Sequence, residues 1–102
     1  MCGFAGKLNF DQARPVDRDR LVAMTTVLAH RGPDADGFWE GPGIGLGHRR
    51  LSIIDLATGD QPLTNEDGSI WVVFNGEIYN FADIRQELLV AGHRFRTNRS
   101  EE

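Results

Sequence analysis

The sequence predicts an α+β fold, and three observations carry that reading. Two stretches place apolar residues at helical spacing. Several shorter stretches are apolar, β-branched or alternating. Clusters of Gly, Pro, Asn and Asp separate them. Along the 102 residues the order is strand, helix, several strands, helix, strand, with no repeat, low-complexity segment or internal linker.

Cys2 to Phe10 is short, mostly apolar and reads as a strand. After the polar turn Asp11–Arg14, Pro15 stands where a helix can begin, with Asp17 and Asp19 in a first turn that favours acids. Leu21, Met24 and Leu28 form one apolar face of that helix, and Gly32-Pro33 ends it near His30. Gly37–Glu40 is a short strand, Gly41-Pro42-Gly43 a turn, and Ile44–Asp55 a longer alternating strand. Leu63-Thr64 pairs briefly before the turn Asn65–Gly68, and Ser69–Phe74 reads as a buried strand. Asn80 is an N-cap residue with Asp83 three positions on, resembling a capping box, and Phe81, Ile84, Leu88 and Leu89 share a helical face. Gly92 supplies a left-handed stop, and His93–Thr97 alternates as a final strand. The chain ends abruptly after it, as a truncated domain would.

A net charge of −4 with both signs dispersed gives no basic block for nucleic acid or an anionic membrane. A single cysteine forms no internal disulfide, which fits a reducing compartment. The N-terminus lacks the layout of a secretory signal, Cys2 occupies the position a myristoylated glycine would need, and no stretch approaches a membrane helix. The expectation is a soluble, cytoplasmic protein.

Few residues stand out chemically. Removal of Met1 would leave Cys2 with a thiol and a free α-amine, a nucleophile and a base on one residue. By itself Cys2 decides nothing, since a cysteine at a chain start is more often a small apolar residue. Asn75-Gly76, at the end of a strand, can offer a side-chain amide and a backbone N–H to a developing oxyanion, yet Asn-Gly is also a common turn pair. Of Arg49 and Arg50, only one can face a pocket, and a guanidinium there can grip a carboxylate through two parallel bonds. The other reading puts one arginine in solvent and one in a structural ion pair. Arg31-Gly32-Pro33-Asp34 reads as a structural turn, and Trp39 and Trp71 as core residues. His30, His48 and His93 lack metal-ligand spacing, so no metal site is expected. Phosphate-binding glycine loops and the Gly-x-Ser-x-Gly elbow are absent.

Four motifs together are specific. Met1-Cys2-Gly3-Phe4-Ala5-Gly6, His30-Arg31-Gly32-Pro33-Asp34, His48 to Asp55 (His-Arg-Arg-Leu-Ser-Ile-Ile-Asp) and Phe74-Asn75-Gly76-Glu77-Ile78-Tyr79-Asn80 follow in that order. The chain thereby resembles, from residue 1 to about 97, the N-terminal glutaminase domain of glutamine-hydrolysing asparagine synthetases. These are class II glutamine amidotransferases among the N-terminal-nucleophile hydrolases. The stretch from His48 to Asp55 resembles the asparagine synthetase branch more than the purine or amino-sugar branches, and Cys2 argues against a β-lactam synthetase.

The resemblance implies the N-terminal half of an αββα sandwich with antiparallel sheets, so that residues 1–102 form a partial domain with the synthetase domain absent. It implies Cys2 as nucleophile, Asn75 and Gly76 as oxyanion hole, Arg50 on the glutamine α-carboxylate, and Glu77 and the backbone of Ile53 lining the same site. It implies no cofactor for glutamine hydrolysis and Mg-ATP for the synthetase domain, which would pass ammonia to aspartate. One departure concerns the family's Thr-x-Ser-Asp-x-Glu segment, whose Asp binds the substrate amine. Here Ser100 stands at that position, or Glu101 does if one residue is inserted. A serine there would weaken glutamine binding by roughly tenfold or more. The half sandwich is expected to be marginally stable or stabilised by association, a homodimer included. Three other readings remain open: a glutaminase domain with a different ammonia acceptor, such as an antibiotic or surface-polysaccharide precursor, a non-catalytic glutamine-binding or regulatory module, and a structural α+β fragment with no activity of its own.

Overall fold

The structure, a computed structural model, describes residues 2–51 and 61–95. Three strands, Gly3–Leu8 (β1), Ala35–Gly41 (β2) and Ile44–Arg50 (β3), form an antiparallel sheet in the order β1-β3-β2. A helix, Arg18–Thr26 (α1), runs into a 3₁₀ turn at Val27–His30. Leu63–Thr64 (β4) and Trp71–Val72 (β5) make a second, two-stranded antiparallel sheet, and Phe81–Val90 (α2) follows. The expected α+β class with antiparallel sheets is what the chain adopts.

The helix sits where β3 has no side chains. Gly45 and Gly47 face α1, and a Cβ on Gly45 would come within 2.9 Å of Leu21 and 3.1 Å of Val16. One on Gly47 would collide with the Thr25 hydroxyl. Val16, Leu21 and Thr25 are buried there, and Thr25 Oγ1 donates back to Leu21 O at 2.8 Å. Met24, expected on this face, is 40 % exposed. Thr25 takes its place because it lies one helical turn from Leu21, directly over Gly47, where only a compact side chain fits. Leu28 completes the face against Gly3 of β1.

Helix α1 starts later than Pro15. Asn9 Nδ2 donates to the carbonyls of Arg14 and Pro15, which holds the entering chain, and Asp17 is the N-cap, accepting from the N–H groups of Asp19 and Arg20. The alternate positions of β3 face away from α1. Extending across the ladder, that second face carries Phe4 and Leu8 from β1, Leu46, His48 and Arg50 from β3, and Gly37 and Trp39 from β2. Trp71 of β5 stacks on Trp39 at 5.2 Å between ring centroids, with 17° between the planes, so the hairpin lies on the face opposite α1. Both indoles are half-buried rather than core residues, and Phe4 and Leu8 are 52 % and 62 % exposed.

Several boundaries differ from expectation for identifiable reasons. β3 ends at Arg50, and residues 52–55 of the expected longer strand lie outside the described ones. β5 is confined to two residues. The N–H of Ile70 is taken by the Asn65 side chain and both backbone groups of Phe74 are taken by Gln61. Asn80 occupies the N-cap position of α2 with φ −96° and ψ 25°, but its side chain makes no cap bond. Of the expected final strand His93–Thr97, the described part, His93–Phe95, is not a strand, and residues 96 and 97 lie outside the described ones. His93 N–H closes on Leu88 O at 3.0 Å and Gly92 N–H on Leu89 O at 3.1 Å, a Schellman stop with Gly92 at φ +98°. The next N–H, of Arg94, goes to the Glu66 carboxylate, so neither is available to a ladder. The apolar face of α2 is solvent-exposed, at 38 % for Phe81, 40 % for Ile84 and 44 % for Leu89.

Candidate functional site

The centre of the site is the end of β3 and the start of β1. Gly3 pairs with Arg49, so Cys2 falls one position further, beside Arg50 and on its face of the sheet. Cys2 is partly buried and forms no disulfide. The Leu51 N–H donates to Sγ at 3.3 Å, and the thiol in turn reaches the Leu51 carbonyl at 3.9 Å. A backbone donor aimed at sulfur fixes the rotamer and presents a positive dipole end to it. Leu51 was not among the expected site residues, and a backbone contact of this kind leaves no trace in residue identity.

The two arginines separate as strand alternation requires. Arg50 is only 3 % exposed and lies on the Cys2 face. Arg49 lies on the helix face, where Nε donates to Gly32 O at 2.8 Å and Nη1 pairs with Asp36 at 3.5 Å. Arg49 makes the structural ion pair that the other reading gave to one of the two, but neither arginine is left to solvent, because both are engaged.

The loop Arg31-Gly32-Pro33-Asp34 is a brace for this strand end. A Cβ on Gly32 would lie 2.5 Å from Arg49 O and 2.6 Å from Arg50 N, so only glycine allows the loop to touch the 49–50 peptide. Asp34 N–H donates to Arg50 O at 3.0 Å and continues the contact. The structural reading of this loop therefore holds, with main chain as the partner.

Asn75 is partly buried, while Gly76 and Glu77 are exposed at a bend after β5. The Phe74 ring packs under Gly76, 3.0 Å from where a Cβ would stand. Gln61 holds Phe74 from the other side: Phe74 N–H donates to Oε1 at 2.6 Å, and Nε2 donates to Phe74 O at 3.0 Å. Gln61 was also missed in the sequence, where a polar side chain before a proline carries no distinctive signal. Ile53, Ser100 and Glu101 lie outside the described residues. A cleft of about 690 Å³ opens elsewhere, between the Asn65–Gly68 turn and the end of α2. Among the described residues it is lined by Glu66, Leu88, His93 and Phe95 with others, and by none of Cys2, Arg50, Asn75, Gly76 and Glu77. Among the described residues no cluster of His, Cys, Asp or Glu could hold a metal ion, and no helix is long and apolar enough to cross a membrane.

A thiol and a buried guanidinium on one sheet face are, chemically, a nucleophile and a group able to grip a carboxylate. A family model described as glutamine amidotransferase domain matches residues 1–102. The chain belongs to this glutamine amidotransferase family.

The chain is 45 % identical over 104 residues to asparagine synthetase [glutamine-hydrolyzing] 1 of Bacillus subtilis (strain 168), covering all of this chain and 16 % of that protein. It is 43 % identical over 97 residues to asparagine synthetase [glutamine-hydrolyzing] 1 of Arabidopsis thaliana, covering 95 % of this chain and 16 % of the relative. With asparagine synthetase [glutamine-hydrolyzing] of Sandersonia aurantiaca the identity is 45 %, over 95 % of this chain and 18 % of the relative. The chain thus spans less than a fifth of the length of these proteins.

Proposed function

We propose that this chain is the glutamine-hydrolysing part of an asparagine synthetase, with Cys2 as nucleophile after removal of Met1. The observation that carries the reading is the adjacency of Cys2 and buried Arg50 on one sheet face, with the Leu51 N–H on the sulfur. Glutamine binds through its α-carboxylate to Arg50, a charge-assisted pairing suited to a planar guanidinium. Glu77 and the Ile53 backbone line the substrate, and Glu101 or Ser100 meets its α-amine.

The thiol proton passes to the α-amine of Cys2, and the sulfur attacks the side-chain amide carbon. Asn75 and Gly76 receive the oxyanion. Collapse of the adduct breaks the C–N bond, ammonia leaves with a proton from the α-ammonium, and a γ-glutamyl thioester remains. A water molecule, giving a proton to the α-amine, attacks the thioester. Glutamate and the free thiol are released. This reaction uses no metal. The relatives' names attach the domain to asparagine formation. In the proposed full-length protein a separate synthetase part uses the ammonia, with Mg-ATP, to amidate aspartate.

Mass spectrometry of the full-length protein after treatment with a glutamine-like diazo-ketone tests the reading. One adduct on Cys2, with Met1 absent and glutamine protecting, is the expected result. An unlabelled Cys2 in folded protein, or a retained Met1, overturns it.

A further inference from the structure

Gln61 has no role in the reaction just described, yet it is among the most buried polar residues, at 7 % exposure. Burying a side-chain amide is costly unless its groups are bonded. Here both are spent on one residue: Oε1 accepts from Phe74 N–H at 2.6 Å and Nε2 donates to Phe74 O at 3.0 Å. The side chain thus does for Phe74 what a neighbouring strand would do, pairing its donor and its acceptor together.

The main chain of Gln61 is seated as firmly. Its carbonyl oxygen lies against Gly37 of β2, in the space a Cβ would fill. Gly37 stands opposite His48 of β3, so the contact reaches the centre of the sheet. On the far side, the Phe74 ring underlies Gly76. A continuous line of contact therefore runs from Gly37 through Gln61 and Phe74 to Asn75-Gly76.

We infer that Gln61 is a positioning residue for the oxyanion-binding pair, tying the strand end that delivers Asn75 and Gly76 to the sheet that carries Cys2 and Arg50. The inference rests on the glutaminase reading above. Oxyanion donors act only when held where charge develops, so a loosened clamp reduces turnover more than substrate binding. Arg50 is carried by β3, whose ladder does not use Gln61.

The test uses the full-length protein. Gln61→Met keeps the length of the side chain and removes both bonds. Its kcat for glutamine is expected to fall at least about tenfold while KM stays within about threefold. Alkylation of Cys2 by iodoacetamide is a direct displacement that forms no tetrahedral oxyanion. Its rate should stay within about twofold of wild type.

Gln61→Glu supplies a readout that simple loss of packing would not give. Ionised, it accepts from Phe74 N–H but repels Phe74 O; protonated, it regains a donor. Its kcat relative to wild type should therefore rise as the pH is lowered from about 8 to about 6. Gly37→Ala, which pushes Gln61 from its seat, should reproduce the kcat loss.

A folded Gln61→Met protein with wild-type kcat overturns the inference. So does a kcat loss matched by an equal loss of iodoacetamide reactivity, or a Gln61→Glu ratio that does not change with pH. If Cys2→Ala hydrolyses glutamine as well as wild type, the glutaminase reading fails first. A Cys2-dependent wild type with an indifferent Gln61→Met removes only the clamp.

Discussion

Replacing Gly32 by alanine tests the packing that supports the site. A Cβ there would stand 2.5 Å from Arg49 O and 2.6 Å from Arg50 N, where ordinary contact begins at 3.4 Å. Both obstacles are main chain of the central strand, so the loop must retreat by roughly 1 Å. Retreat breaks the bonds from Arg49 Nε to Gly32 O and from Asp34 N to Arg50 O, now 2.8 and 3.0 Å. Each is worth about 0.5–1.5 kcal/mol, and overpacking adds about 1–3 kcal/mol. A stiffer unfolded chain returns about 0.4–1 kcal/mol, for a net loss of roughly 2–5 kcal/mol.

Urea unfolding followed by tryptophan fluorescence should show the midpoint fall by about 1–2 M at an unchanged slope. In the full-length protein kcat/KM for glutamine should fall about a hundredfold, because displacement of this size misplaces Arg50. Gly92→Ala is the control. Nothing lies within 4 Å of a Cβ there, so only the cost of φ +98° remains, about 1 kcal/mol, without a kinetic effect. Wild-type stability and kinetics in Gly32→Ala would refute the idea that this contact fixes the strand end.

Other perturbations give distinct signatures. Arg50→Lys keeps the charge and loses the planar fork, so KM for glutamine should rise about tenfold in steady-state assays, with kcat less affected. Asp17→Ala removes the acceptor for the N–H groups of Asp19 and Arg20 and should cost about 0.5–2 kcal/mol in unfolding experiments, most of it restored by Asn. The Glu66 carboxyl is held below its ordinary value of 4.5 by its own backbone N–H, then by His93 and by the Arg94 N–H. A depressed folded value means that its contribution is present above the unfolded value and is lost as pH falls through the folded one. Glu66→Gln should therefore lower the unfolding midpoint at neutral pH, with the difference from wild type closing below about pH 4.

Much of this arrangement was legible in the residues, and what was hidden has physical causes. Strand alternation alone separated Arg49 from Arg50, and the ladder then set Cys2 beside Arg50. Leu21 in α1 and Leu28 in the 3₁₀ turn after it marked the sheet-facing side correctly. Met24 did not, because hydrophobicity ranks it above Thr25 whereas the space over Gly47 admits only the smaller side chain. The alternation of His93–Phe95 looked strand-like, but the Schellman stop and Glu66 had already taken two of its N–H groups. Asn80 sits at the cap position without capping, which its identity could not reveal. Gln61 was illegible because its partner is the backbone of a residue 13 positions away, and backbone partners leave no mark on composition.

The seven residues of β3 carry two incompatible surfaces, glycines for the helix on one side and bulky or charged groups on the other. A single-residue insertion or deletion between Gly43 and Leu51 would exchange them, driving Leu46 and His48 into α1 and turning Arg49 toward Cys2. Length variation in this part of the chain is thereby forbidden, whereas the exposed connection around Phe10 and the Asn65–Gly68 turn can absorb it. Tags, circular permutation points or inherited insertions that spare activity should therefore fall at those two places, and a chain with an altered count across β3 should lose helix packing and thiol chemistry in one step.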